Sequence, residues 1–227
     1  MNTKALLEQL LQSGQQLANK GQALAEDKLN VPQQGESRDA MLSGLGKGAL
    51  AGGVLGLLLG TKSGRKVGGG LVKVGGLAAL GGIAYTAYKK WQADQPGAAA
   101  EPGTPVGQLS GPAADQRSQL LLKAMIAAAK ADGHIDDEER GKIHEQIQQF
   151  NLDDGAVALL TSELDKPLDP KDIAAGADSA EAAAEIYLAS LLVIEVDNTV
   201  ERAYLNALAQ ELKLSDELVQ QMEAEIA

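Results

Sequence analysis

Residues 117–133 read RSQLLLKAMIAAAKADG, and this stretch decides the fold class. Its apolar side chains recur every three or four residues, at Leu120, Leu121, Ala124, Met125, Ala128 and Ala129. That spacing places them on one face of a helix, which Asp132-Gly133 is predicted to end. Because aromatic residues make up only 3% of the chain, the core must be built from Ala, Leu, Ile and Val.

Helical patterns continue from this stretch to the C-terminus. The long segment after Ser179 has an apolar face that includes Ile186, Leu188, Leu191, Leu192 and Ile194. Acidic, hydroxyl or proline residues precede or begin these patterns, as is typical of the N-terminal caps and first turns of helices. The further helices are predicted to begin near Asp137, Asp153, Asp169-Pro170, Ser179, Thr199 and Ser215. No run alternates as a strand would, so residues 117–227 are predicted to form an all-α bundle.

Charge is divided unevenly along the chain. Residues 41–95 carry seven basic and one acidic side chain, whereas residues 96–227 carry nine basic and 25 acidic ones. A C-terminal part this acidic argues against nucleic acid as a partner, since such binding depends on Lys and Arg neutralising phosphates. It favours a cation or a basic protein as the partner.

A ladder of glycines at four-residue spacing precedes the acidic part. Its apolar gaps form a repeated small-xxx-small pattern, which lets helix backbones approach closely in a membrane. The pattern predicts self-association into a homo-oligomer through the following residues: Gly44, Gly48, Gly52, Gly56, Gly60, Gly64 and Gly68.

Residues 41–91 are predicted to be a glycine-rich helical membrane segment in contact with lipid. The runs Gly48–Gly60 and Gly68–Tyr88 would form a hairpin of two spans, and Tyr85, Tyr88 and Trp91 would form an interfacial belt. One span with a peripheral first helix is the alternative, and a flexible soluble tether is another. Four basic residues flank each side, so charge does not decide the topology.

Two polar segments complete the organisation. Residues 1–40 are predicted to be an amphipathic arm and linker, which either binds a membrane surface or partner or is weakly ordered. Residues 92–116 have the Pro, Gly and Ala content of a flexible linker. The absence of cysteine excludes disulfides and thiolate chemistry. With no export signal in the first 40 residues, the bundle is expected to be cytoplasmic.

Two acidic turns in the bundle are similar to each other. Residues 128–136 (AAKADGHID) and 193–201 (VIEVDNTVE) each place an acid, a small turn residue and a β-branched residue between helices. Carboxylates from both turns would suit a hard cation such as Ca²⁺, Mg²⁺ or Mn²⁺, and Zn²⁺ is also considered. Helix capping explains the same residues equally simply. The predicted metal ligands are Asp132, Asp136, Glu139, Asp197 and Glu201.

The string KADGHIDDEER at 130–140, with the later VDNTVERAYL at 196–205, resembles the tellurite-resistance TerB-like family. The whole chain is similar to bacterial inner-membrane proteins of the YebE type. The resemblance implies a compact bundle of about seven helices over 117–227, an acidic patch for a divalent metal, and a link to envelope or oxyanion stress.

The sequence contains no phosphate-binding loop, HExxH or GxSxG motif, so we expect a non-catalytic protein. The leading hypothesis is a self-associating protein anchored in the bacterial inner membrane, whose acidic bundle binds a divalent cation, a basic partner or both. Two alternatives stay open. One is a membrane-remodelling scaffold that acts through the glycine-rich segment, and the other is a metal-dependent enzyme of unknown substrate.

Overall fold

The computed structural model describes residues 2–8, 77–93, 103–131, 154–194 and 199–226. All regular elements in these ranges are helical, which confirms the all-α prediction for them. The helices are α1 (residues 3–8), α2 (Leu77–Ala93), a short 3₁₀ helix (Val106–Gln108), α3 (Gly111–Ala129), α4 (Asp154–Asp165), α5 (Pro170–Ala174), α6 (Ala180–Leu191), α7 (Thr199–Glu211) and α8 (Asp216–Ile226). The predicted second helix, near 137–150, lies outside the described residues.

Helix α6 forms the centre of the bundle. Eleven of its twelve residues are buried, all except Ala180, and it packs against both α3 and α2. A helix with buried residues on every face has to be enclosed by other elements. The helix begins where the predicted cap residue places it, because the Ser179 hydroxyl accepts a hydrogen bond from the Ala182 backbone N–H. The predicted starts at Asp169-Pro170 and Ser215 are confirmed in the same way.

Helix α2 lies inside the bundle, where the sequence had predicted the end of a membrane span. Its buried face, formed mainly by Leu77, Leu80, Ala84, Ala87 and Tyr88, repeats every three or four residues and packs against α6 and α8. The predicted aromatic belt is therefore wrong for Tyr88, which is a core residue. Trp91, half-buried, lies against it with ring centroids 5.4 Å apart.

None of the helices in the described ranges is both long enough and apolar enough to cross a bilayer. The prediction of a second span through Tyr88 is not supported, since the apolar face of α2 is covered by other helices of the same chain. The first run, the basic turn and the whole glycine ladder lie outside the described residues.

Residues 103–116 are ordered parts of the domain, in contrast to the flexible linker predicted over 92–116. Val106 is fully buried, and a Cβ at Gly107 would lie 2.8 Å from the Ala78 Cα. Helix α3 already begins at Gly111, with Pro112 in its first turn. Composition did not predict that this segment is ordered, because Pro and Gly here allow a close backbone approach rather than flexibility.

The start of the predicted N-terminal arm also packs on the bundle. Leu6 and Leu7 are buried in the common core. The Lys4 backbone N–H donates to Asp115 Oδ1, and the Lys4 ammonium donates to the Leu109 carbonyl. The amphipathic pattern of residues 3–8 is thus matched by a partner surface within the same chain.

Candidate functional site

A buried ion pair joins the two central helices. Arg117 of α3 is 7% exposed and Glu185 of α6 is fully buried, and Nη1 of the former lies 2.7 Å from Oε2 of the latter. The second guanidinium nitrogen, Nη2, lies 2.7 Å from Oδ1 of Asp178, whose side chain is 75% exposed. Arg117 therefore connects an inaccessible carboxylate to one at the surface.

Glu185 also holds the segment that precedes α3. Its Oε1 accepts a hydrogen bond of 2.6 Å from the Val106 backbone N–H. Burial raises the pKa of the Glu185 carboxyl, while the Val106 N–H and the Arg117 guanidinium oppose that rise. The two hydrogen bonds favour the ionised form, because they are donated to the charged oxygens.

A second carboxyl lies one helical turn earlier, at Glu181. It is fully buried, and neither of its oxygens has a hydrogen-bond partner in the part of the chain that the structure describes. Burial raises the pKa of Glu181 to about 8, and the nearby Glu185 carboxylate adds to the effect, whereas Arg117 lowers it. Glu181 is therefore mainly a neutral acid at pH 7.

A cavity of about 330 Å³ lies beside this cluster. It is bounded by segment 103–109, the N-terminal half of α3 and the turn between α5 and α6. Arg117, Asp178 and Ser179 supply polar lining, and Leu109 and Leu120 supply apolar lining. A volume of this order is at the low end of small-ligand sites.

Gly103 forms part of the cavity wall and covers Glu181. Its φ of +101° is a conformation that L side chains rarely adopt. A Cβ on Gly103 would lie 2.9 Å from Ser179 Oγ and 3.2 Å from Glu181 Cβ. Glycine is required here because the backbone rests directly on the first turn of α6.

The structure leaves most of the predicted metal ligands undescribed. Asp132, Asp136, Glu139 and Asp197 lie outside the described residues. Glu201 is half-buried in the first turn of α7 and has an interaction partner. Over the described ranges, no group of three His, Cys, Asp or Glu residues is placed to hold a metal ion.

Sequence reasoning missed the Arg117 cluster and the cavity. A usable signal was present in the string EAAAE at 181–185, since two acids one turn apart in an otherwise apolar helix must share one face. Two such acids on a buried helix require a cationic partner or protonation. The pattern could not show that Arg117, 68 residues earlier than Glu185, is that partner.

The fold and this site define a helical bundle with a buried ion-pair cluster beside a small polar cavity. The chain belongs to the family described as "Protein of unknown function (DUF533)", which matches residues 44–226. The chain is also similar to the "Uncharacterized protein in ampR 5'region" of Yersinia enterocolitica. The two are 37% identical over 112 residues, which cover 49% of this chain and 81% of that protein. No solved structure matches the chain.

Proposed function

We propose that this chain is a non-catalytic interaction protein whose acidic helical bundle binds a basic protein partner. In this proposal the glycine-rich segment mediates self-association at the bacterial inner membrane, and the similarity to TerB-like proteins supports a role in envelope or oxyanion stress. A divalent cation is the second ligand class, and it rests on the acidic turns of the sequence.

The observation that carries the proposal is the charge of the α4–α6 region. Residues 154–194 contain eight acidic and two basic side chains. Asp154, Asp169, Asp172 and Asp178 are exposed, and they bring negative charge to α4, α5 and the α5–α6 turn. A surface of one sign attracts partners of the opposite sign and accelerates their association.

The basic-partner proposal is tested with a hexalysine peptide and the full chain, by titration calorimetry at several salt concentrations. Two exposed neighbours on α5 provide a matched pair of variants. Asp172→Asn removes a negative charge and should weaken binding, while Lys171→Gln removes a positive charge and should strengthen it. Affinity that is independent of salt and of both variants contradicts the proposal.

Self-association is tested by light scattering of the full chain in detergent. Leucine at Gly52 and Gly56 should disperse the oligomer, because large side chains block close helix approach. Alanine at the same two positions keeps a small residue and should retain the oligomer. An oligomer that survives the leucine pair unchanged excludes this segment as the contact.

Cation binding is tested by thermal unfolding of the full chain in Ca²⁺, Mg²⁺, Mn²⁺ and Zn²⁺. The full chain is needed because α2 packs on the later helices. An ion that binds the folded state alone stabilises it by about 2.7 kcal/mol at a hundredfold excess over Kd. That gain should disappear in Asp132→Asn, and a gain that the variant retains places the ion elsewhere.

A further inference from the structure

Helix α1 packs on the bundle but lies far from it along the chain. Leu6 and Leu7 are 6% and 1% exposed and belong to the common core. The Lys4 backbone N–H donates to Asp115 Oδ1 at 3.1 Å, and the Lys4 ammonium donates to the Leu109 carbonyl at 3.4 Å. The bundle surface that these contacts define is called the α1 site. Residues 9–76, 68 in number, separate α1 from α2, the next described helix.

The α1 site is what makes residues 3–8 helical. A helix of six residues is not stable in water by itself, because its nucleation costs more than its few hydrogen bonds contribute. Asn2 caps α1 by accepting a hydrogen bond of 2.9 Å from the Ala5 backbone N–H, and the remaining stabilisation comes from burial of Leu6 and Leu7. A second, identical chain offers the same burial. The site of another copy therefore fits α1 as well as its own site does.

The proposed self-association places these two sites at equal chain distance from α1. Copies that meet through the glycine ladder, residues 44–68, are joined at a point between α1 and α2 along the chain. From that joint, 35 residues (9–43) lead to α1 and eight residues (69–76) lead to the bundle. For copies that meet in register, this holds for the neighbour's bundle as well. A chain of 35 residues extends to about 115 Å at most, several times the diameter of a small domain.

We propose that helix α1 is exchanged between copies of this chain, so that residues 3–8 of one copy dock on the α1 site of its neighbour. The inference rests on the proposed self-association and adds a second contact between the copies. Because the first contact holds the neighbour's site close, docking there is no more costly in entropy than docking within the copy. Such sharing of an identical element between protomers is domain swapping. With two equivalent sites, about half of the α1 helices in a dimer should dock on the neighbour.

The exchange can be measured by cross-linking, because the chain contains no cysteine. Lys4→Cys keeps the backbone N–H that bonds to Asp115. Ser110→Cys lies next to the Leu109 carbonyl, at the start of α3, where the serine side chain makes no capping hydrogen bond. One full-length chain carries the first change and a second chain carries the other. The two are co-expressed, purified together in detergent and treated with a short bismaleimide. A link between positions 4 and 110 can then form only between copies, and mass spectrometry identifies it.

A double variant, with both cysteines in one chain, also reports docking within a copy. We expect the link between copies and the link within a copy in about equal amounts for a dimer. Leu7→Asp in the Lys4→Cys chain should abolish the link, because it places a charge in the core, whereas Ala5→Asp at an exposed position should retain it. Leucine at Gly52 and Gly56 should lower the link between copies about tenfold or more and leave the link within a copy.

The outcomes separate the exchange from the self-association on which it rests. If light scattering shows an oligomer but the link forms only within a copy, the exchange is overturned and self-association stands. If no oligomer forms, both are overturned. If the double variant forms no link of either kind, α1 does not dock at the α1 site and the exchange is overturned, whatever the oligomeric state. A link between copies that is unchanged by Leu7→Asp reports random contact rather than docking, and it also overturns the exchange.

Discussion

Oε2 of Glu185 lies 2.7 Å from Nη1 of Arg117, in a contact closed to solvent between the two central helices. When two opposite charges are buried together, their attraction offsets the cost of removing them from water, which is large for either charge alone. The contact therefore fixes how α3 and α6 pack. Through the other carboxylate oxygen it also fixes where segment 103–109 lies.

Arg117→Met should lower the free energy of unfolding by about 3–5 kcal/mol, because it leaves Glu185 buried without its cation. Urea unfolding followed by circular dichroism measures this. The matched control is Lys90→Met, which breaks the pair of Lys90 with Glu225 at the surface. That change should cost less than about 1 kcal/mol. Equal losses in the two variants are incompatible with a buried ion pair at Arg117.

Stability should fall as the pH rises through the range set by Glu181. The pKa of this acid is about 8 in the folded state, against 4.5 for a glutamate in water, so the unfolded state loses its proton first. Below pH 4.5 both states are protonated and the group has no effect on stability. Between pH 4.5 and about 8 the folded state binds more protons, so each pH unit lowers the free energy of unfolding by up to about 1.4 kcal/mol.

Glu181→Gln isolates this contribution. The variant should unfold at a higher temperature than the wild type at pH 8, and the difference should shrink towards pH 4.5. A part of the slope should remain, since the pKa of Glu185 is raised as well. Thermal unfolding across this pH range makes the comparison. A constant difference between the two proteins over the whole range contradicts the assignment to Glu181.

Two adjacent glycines of α2 should respond in opposite directions to alanine. A Cβ at Gly81 would lie 2.9 Å from Glu185 Oε1 and 3.2 Å from Pro105 Cβ, whereas a Cβ at Gly82 meets nothing within 4 Å. Gly81→Ala should therefore destabilise the protein by about 1–3 kcal/mol through overpacking. Gly82→Ala should stabilise it by up to about 1 kcal/mol through helix propensity. Chemical unfolding of the two variants measures both changes in the free energy of unfolding. If both variants are more stable than the wild type, the close approach of α2 to Glu185 is excluded.

The position of α2 in the bundle makes a further prediction. Leu80 is 4% exposed, and Leu80→Ala should cost about 2–5 kcal/mol through lost burial and the cavity left behind. Tyr85 on the same helix is 39% exposed, and Tyr85→Ala should have a much smaller effect. Urea unfolding without lipid or detergent provides the comparison. If neither variant changes the unfolding midpoint, α2 is not part of the cooperative domain.

Docking of the N-terminus is tested at Leu7, which is 1% exposed. Leu7→Ala should destabilise the bundle by about 2–5 kcal/mol, because its side chain belongs to the common core. Ala5→Ser, at an exposed position of the same helix, is the control and should be close to neutral. Unfolding midpoints that coincide for Leu7→Ala and the wild type contradict the docking.

Local signals predicted the elements of the bundle well. The cap residues Asp169, Ser179 and Ser215 were identified from sequence, because a cap depends on groups two or three residues away. The apolar face of the fifth predicted helix was correct in that all five of its residues are buried, although α6 ends at Leu191, before Leu192 and Ile194. The prediction of a membrane span at α2 failed because the residues of a helix do not show what covers it. An apolar helix rich in Ala and Gly has the same composition whether other helices or lipid cover it.

The sequence alone determined that the described parts of the chain are helical, where most of the described helices start and that the C-terminal part is acidic, since these properties depend on neighbours along the chain and on composition. Only the tertiary structure decided that α2 and residues 103–110 belong to the bundle, that Arg117 pairs with Glu185, and that Glu181 is buried beside a cavity. The physical reason is distance along the chain. The contacts that place Glu185 against Arg117 and Val106 span 68 and 79 residues, and no local pattern encodes which distant groups will meet.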